Sequence, residues 1–295
     1  MSIDKGMSAW RSRRNHNRMI EFAHGRNDGG PVKLAFFGSS AFRVTSPRGL
    51  SVMIDPWRNV PTAKWDWYFH DFPMTEVDVG ISTHAHFDHD ALECLDANVL
   101  LDRPIGTWSF ADVTVEGVPD KHAIDPSDAT YDFKLINSYF GGQPMEPPDN
   151  SRNWDNTIVV VETGGLRICH WGDNRHSAPD NVYEALGRVD ILLMPVDDSQ
   201  HVMGHPMVAE VIDRVAPRIV VPHHYYTWNI VQRGSTLLPV ERWVADQPNV
   251  RRIESAEVTY APEDLPETMT VDYFGDHVAF DVDAWHRENG MVLST

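Results

Sequence analysis

The sequence predicts an α/β protein of stacked sheets with helices outside, and three observations carry that prediction. Short β-rich runs separated by Gly, Ser and Pro fill both halves of the chain. Each half closes on strand–helix units, as expected of layers packed around one core. Where the first such unit turns, the octapeptide "THAHFDHD" (residues 83–90) packs three histidines and two aspartates into eight positions.

Taken in order, residues 1–31 read as a polar, Arg-containing arm ending at the breaker cluster "NDGGP", with a surface helix around residues 9–23. "VKLAFF", "AFRVT" and "LSVMID" then predict a meander of strands, and "VDVGIS" (77–82) a buried one. "ALECLDA", which follows the octapeptide, reads as a helix, placing the octapeptide where a strand ends and a helix begins, a usual place for α/β sites. In the second half "VTVEGV", "TIVVVET" and "LRICHW" predict strands, with "TGGL" as a hairpin turn. "APDNVYEALGRV" predicts a helix, "DILLMPV" a buried strand, and "HPMVAEVIDRVA" an amphipathic helix with Pro in its first turn. "RIVVP" is the last strong strand and ends at "HHYYTW". The polar stretch 141–156 reads as a rim or lid loop. The expected organisation is the arm, then one domain over 32–295 with a C-terminal extension from about residue 249. That extension is acidic and carries no readable pattern.

Forty-three acidic residues against 25 basic ones give a formal charge of −18. Such a surface repels nucleic acid and anionic membranes, leaving small molecules as the expected substrates. Cys94 and Cys169 are the only cysteines, too few for a disulfide scaffold and consistent with free thiols in a reducing compartment. No apolar run approaches the ~20 residues of a membrane span, and the N-terminus lacks the apolar region of a secretory signal. A cytoplasmic protein is expected.

Two histidines at i, i+2 on an extended tip, His84 and His86, point the same way. Asp88 and His89 follow and can turn back toward a neighbouring point. That spacing suits two adjacent metals, with imidazole and carboxylate favouring zinc first and manganese or iron next. The remaining ligands must come from elsewhere, and coordinating groups lie at four other strand ends: His122 after "VTVEGVPDK", His170 and Asp173 in "CHWGD", His201 and His205 in "DDSQHVMGH", and His223 and His224 after "RIVVP".

With these segments in view, the chain resembles the metallo-β-lactamase superfamily over about residues 32–228, closest to the branch of ascorbate-6-phosphate lactonase-like, metal-dependent hydrolases. "THAHFDHD" is similar to its H-x-H-x-D-H signature and "MIDPW" to its first acidic motif, which carries Asp55. "VTVEGVPDKH", "LRICHWGD" and "RIVVPHHY" resemble the segments that supply its later ligands. The resemblance implies an αββα sandwich with two divalent metal ions. His84, His86 and His122 would hold one, Asp88, His89 and His224 the other, and Asp173 would bridge. Asp55 would orient a ligand or a loop. A one-residue shift would exchange His224 for His223.

Two departures stand out. "GSSA" (38–41) replaces the branch's usual "GHS" or "GHA", so any role of that histidine is lost or passes to Ser39. "DDSQHVMGHP" replaces its glycine pair after "PV". The function implied is hydrolysis of a small-molecule ester, lactone or activated ether bond by a metal-bridging hydroxide that Asp173 positions beside Asp88. His201, His205 or Tyr225 would protonate the leaving group. Alternatives are a phosphodiesterase or nuclease of the same fold and a non-catalytic subunit beside an active homologue. Trp57, Trp108, Trp154, Trp171 and Trp228 lie by the motifs or rim, admitting an aromatic substrate, while rim cations are few (Arg58, Arg152, Arg175). A homo-oligomer or a complex with a homologous subunit is expected.

Overall fold

The computed structural model describes residues 20, 30–60, 66–123, 155–198 and 202–290. Two mixed sheets form; one buried cluster takes residues from both, and a second, with Trp57, Tyr68 and Trp285, covers the other face of the first sheet. The first sheet runs in the order β13-β1-β2-β3-β4-β5 and the second β12-β14-β11-β10-β9-β8-β7-β6. The strands are β1 (Val32–Phe36), β2 (Phe42–Thr45), β3 (Ser51–Ile54), β4 (Thr75–Ser82), β5 (Leu95–Asp102), β6 (Gly106–Phe110), β7 (Val113–Lys121), β8 (Asp155–Thr163), β9 (Leu166–His170), β10 (Ile191–Pro195), β11 (Ile219–His223), β12 (Val250–Arg252), β13 (Glu257–Tyr260) and β14 (Thr270–Tyr273). Four helices are described: α1 (Asp180–Leu186), α2 (His205–Val215), α3 (Glu241–Ala245) and α4 (Val282–Glu288).

The central strands explain the sequence pattern. β10 and β11 are buried at every position, as parallel strands covered on both faces must be, so they read as unbroken apolar runs rather than alternations. α2 turns Val208, Val211 and Ile212 inward at i, i+3, i+4 spacing and packs that stripe into the same core. Gly164 and Gly165 both adopt positive φ, which closes the β8–β9 hairpin as "TGGL" predicts.

One expectation needs correction. After the octapeptide there is no α-helix: residues 92–94 form a single 3-10 turn and the chain enters β5. Its residues pair in parallel with β4 from Thr75↔Leu95 to Ser82↔Asp102, so sheet pairing overrides the helix-forming composition of "ALECLDA". The tail, which carries no readable pattern in the sequence, supplies three strands. β13 adds to β1 in the first sheet, while β12 and β14 extend the second beyond β11. The helix expected over 9–23 (apart from residue 20), most of the 141–156 loop, Arg152, Trp154 and His201 lie outside the described residues.

Parallel pairing places the site. β3 with β4 and β9 with β10 and β11 run parallel, so their C-terminal ends emerge together at one edge of the sandwich, where α/β folds gather their ligands. At that edge Thr157 N–H donates to Thr83 O at 2.8 Å, tying the sheets together.

Candidate metal centre

Asp55 follows β3, the octapeptide follows β4, His122 follows β7, Asp173 comes three residues after β9, and His224 follows β11. Backbone strain marks the turns. Asp55 and His224 have φ of 53° and 58°, a region that non-glycine residues enter at a cost and that clusters at functional sites. Gly172 is required on steric grounds: at its φ of +59° an added Cβ would meet Asn156 Oδ1 at 2.5 Å and Thr83 Oγ1 at 2.8 Å.

The folded chain gathers these residues into two adjoining groups of donor atoms, His84–His86–His122 and Asp88–His89–Asp173–His224. Asp173 stands between them. Its Oδ2 lies 3.8 Å from His84 Nε2, 3.6 Å from His122 Nε2 and 3.5 Å from His224 Nε2, and its Oδ1 lies 3.4 Å from His89 Nε2. Asp88 Oδ2 is 3.4 Å from His89 Nε2 and 3.2 Å from His224 Nε2. His86 is half-buried and the other six are buried, so the open side of the centre is at His86.

Hydrogen bonds fix which ring nitrogens face inward. Asp55 accepts from Thr83 N–H (2.7 Å), Thr83 Oγ1 (2.7 Å) and His89 Nδ1 (2.8 Å). Because a carboxylate only accepts, His89 Nδ1 carries a proton and Nε2 turns to Asp88 and Asp173. Thr83 Oγ1 spends its proton on Asp55, so at 3.0 Å it accepts from His84 Nδ1, leaving His84 Nε2 as the inward lone pair.

Charge is divided unevenly. Burial and the imidazoles of His89 and His86 push His84 well below its usual 6.5. Burial opposes ionisation of Asp88 and Asp173, yet His89 and His224 outweigh it and hold both carboxyls well below the usual carboxylate range. Against burial, Asp173, Asp88 and Asp55 hold His89 well above 6.5. Likewise, against burial, Asp173, Asp197 and Asp88 push His224 up to about 10. The carboxylate-rich group thus gathers positive charge. His84 Nε2, His89 Nε2 and both Asp173 oxygens are buried yet complete no hydrogen bond, although such groups are ordinarily satisfied. Inward imidazole and carboxylate donors without hydrogen bonds fit divalent cations.

A family described as "Beta-lactamase superfamily domain" matches residues 33–224. The chain belongs to the β-lactamase superfamily. The chain is similar to a UPF0173 metal-dependent hydrolase of Thermodesulfovibrio yellowstonii, 23% identical over 236 residues that cover 74% of this chain and 86% of the relative. Another, from Anaeromyxobacter sp. (strain K), is 28% identical over 228 residues, covering 68% of this chain and 76% of the relative. A metallo-β-lactamase superfamily structure from Thermotoga maritima superposes with a TM-score of 0.56 at 22% identity, covering 82% of this chain and 98% of that one. The αββα sandwich of the superfamily is therefore the fold of this chain.

Within this superfamily member the other predicted positions separate from the cluster. His223 Nδ1 pairs with Ser40 Oγ at 3.0 Å and His170 Nε2 donates to Ser40 O at 2.8 Å, so it is His224, not His223, that joins the donor group. Tyr225 donates to Gly275 O at 2.7 Å, and burial pushes its phenol up. His205 opens α2, where its N–H donates to Asp198 Oδ1 at 3.1 Å and its Nδ1 lies 3.8 Å from Asp198 Oδ2. Trp57 and Trp171 are core residues, and Trp228 is exposed. Arg58 pairs with Asp90 and Glu93, and Arg175 with Asp120.

Sequence reading missed Thr83, Tyr68 and Asp197. Tyr68 stacks on Trp57 at 4.2 Å and donates to Ser39 Oγ at 2.8 Å. Burial, then Asp88 and Asp173, push its phenol well up. Beside it Trp67 packs against Phe87 (5.0 Å) and the His224 ring (6.5 Å), making one flank of the centre aromatic. Position beside a motif was the only available signal for Thr83. Tyr68 and Asp197 have partners too distant in sequence to give one.

Proposed function

We propose that this protein is a hydrolase that uses two divalent metal ions to cleave an ester, lactone or activated ether bond in a small molecule. The observation that carries the reading is the pair of adjoining donor groups, with Asp173 of one lying 3.8 and 3.6 Å from His84 and His122 of the other. Its relatives' description as metal-dependent hydrolases supports it. His84, His86 and His122 hold one ion, Asp88, His89 and His224 the other, and Asp173 reaches both. Zinc suits this donor set first, with manganese or iron as alternatives. Bound there, the ions supply Lewis acidity toward the substrate's oxygen and acidify a water near neutral pH.

The chain's own residues do the rest. Asp55 locks His89 directly, and His84 through Thr83, so both present Nε2 inward. Asp173 orients the attacking water, and Asp88 stands with it in the same donor group. His205 protonates the leaving group from the start of α2. The substrate approaches from the half-buried His86 and lies along the Trp67–Phe87 flank, which favours an apolar or aromatic group. The pairing of Arg58 and Arg175 with carboxylates, together with a charge of −18, speaks against polyanionic substrates.

The test is elemental analysis of the purified protein, followed by turnover of a panel of lactones, carboxylic esters, aryl ethers and phosphodiesters. Close to two ions per chain and hydrolysis confined to the first three classes are expected. No metal uptake from excess zinc or manganese, or turnover of phosphodiesters alone, overturns the reading.

A further inference from the structure

β10 and β11 run side by side in parallel, with Pro195 opposite His223, and the pairing continues as Val196 N–H donates to His223 O at 3.1 Å. The next residue on each strand leaves the sheet toward the same point: Asp197 from β10 and His224 from β11. Asp197 is 1% exposed and His224 fully buried. Asp197 Oδ2 lies 3.6 Å from His224 Nδ1, while the other edge of the same ring turns Nε2 to Asp88 and Asp173 at 3.2 and 3.5 Å. The residue is held further: its backbone N–H donates to Ser39 O at 2.8 Å, and Trp67 packs beside the imidazole.

We infer that Asp197 is a positioning residue of the metal centre, whose carboxylate backs His224 and tightens the ion held by Asp88, His89 and His224. The inference rests on the metal-binding reading above. The arrangement is a looser counterpart of Asp55 and His89, in which Nδ1 meets a buried strand-end carboxylate at 2.8 Å rather than 3.6 Å and Nε2 likewise faces Asp88 and Asp173. A carboxylate behind an imidazole sets its tautomer and makes its far nitrogen a stronger donor. Both imidazoles of the carboxylate-rich group therefore have an anionic backing. On the other group His84 is backed only by the Thr83 hydroxyl. The ion pair to His224 also offsets the cost of burying a carboxylate at a strand end. Neighbouring Asp198 does a separate job, accepting the His205 N–H where α2 begins.

The test compares zinc binding by the wild-type chain with that of Asp197→Asn, Asp197→Ala, Asp197→Glu and Asp198→Asn, by competition with a chromophoric chelator and by elemental analysis. Each protein's melting temperature is also measured after metal stripping. Removing such a partner loosens a metal by ~10- to 100-fold. Asp197→Asn, which keeps an acceptor oxygen but not the charge, is expected near the lower figure and Asp197→Ala near the upper, at one ion only. Asp197→Glu restores affinity partly, and Asp198→Asn keeps both ions. Wild-type affinity at both sites in Asp197→Ala overturns the role of Asp197. So does equal weakening of both sites with a matching fall in metal-stripped melting temperature, since a structural residue would act that way. A wild-type chain that takes up no zinc instead overturns the metal-binding reading itself.

Discussion

Replacing Asp55 with Asn changes one oxygen into an NH2 group, and the structure says what must follow. The position suits Asn, which tolerates the φ of 53° there. Its amide oxygen can keep the bond to Thr83 N–H. The NH2 group then faces Thr83 Oγ1 and His89 Nδ1, both of which now donate to the carboxylate. To meet a donor, His89 must give up its Nδ1 proton and carry one on Nε2. Thr83 Oγ1 must accept rather than donate, turning its own proton to His84 Nδ1 and forcing the same exchange there. Each exchange protonates the nitrogen that faces the centre. If the rings keep their present tautomers, buried donors meet donors instead.

A lost outer partner typically costs ~10- to 100-fold in metal affinity, or about 1.4–2.7 kcal/mol. Asp55→Asn acts through one histidine of each donor group, so each ion should weaken by that amount. Asp55→Ala is the poorer probe. It strands three buried donors at ~1–3 kcal/mol each, a sum of about 3–9 kcal/mol that rivals the whole stability of a domain, ~5–15 kcal/mol. The assay is chelator competition on the Asn variant, with the melting temperature of the metal-stripped form as control for folding. Wild-type affinity for both ions in a folded Asn variant would refute the tautomer argument.

Other outcomes follow from the same geometry. Asp173→Ala should abolish turnover and weaken both ions, because its carboxylate reaches four histidines from the two groups; full metal content with near-normal kcat would mean that it is an ordinary strand-end acid. His205→Ala should lower kcat by ~100- to 10,000-fold if it protonates the leaving group; unchanged kcat would leave it a helix-start residue, bonded to Asp198 through its backbone N–H. His224, pushed up to about 10 from 6.5, should carry a proton in the metal-free chain at pH 8. Zinc uptake there should release at least one proton, read by calorimetry in buffers of different ionisation enthalpy. Because its folded pKa is raised, the stability this group adds to the metal-free chain is fully present below 6.5 and is lost as pH rises through about 10. The metal-stripped melting temperature should therefore fall across that window, and a flat profile would contradict the assignment.

What could be read from the sequence was what lies close along the chain. "THAHFDHD" declares itself because four of its side chains sit within six residues, and the strand-end positions of His122, Asp173 and His224 follow from apolar runs that stop just before them. β5 was hidden because "ALECLDA" favours helix locally, and what makes it a strand is β4. The tail was hidden for a related reason: β12 and β13 are short and partly exposed, so no clean alternation survives in their sequence.

The choice between His223 and His224 shows where local reading ends. Both follow "RIVVP", and neither composition nor spacing separates them. Ser40, 183 positions from His223, takes one ring, and Asp88, 136 positions from His224, takes the other. A left-handed turn at His224 makes the two assignments possible at once. In extended backbone, successive side chains point to opposite faces, so one histidine enters the inter-sheet core while the next, leaving the strand, is swung over its edge. The positions of Asp55 and Asp197 obey the same logic. Each lies just past the end of a parallel strand, where leaving the sheet brings a carboxylate behind an imidazole supplied by a neighbouring strand's end. The outer carboxylates of this centre are thus a product of strand register, and register is a property of the paired sheet that neither strand carries alone.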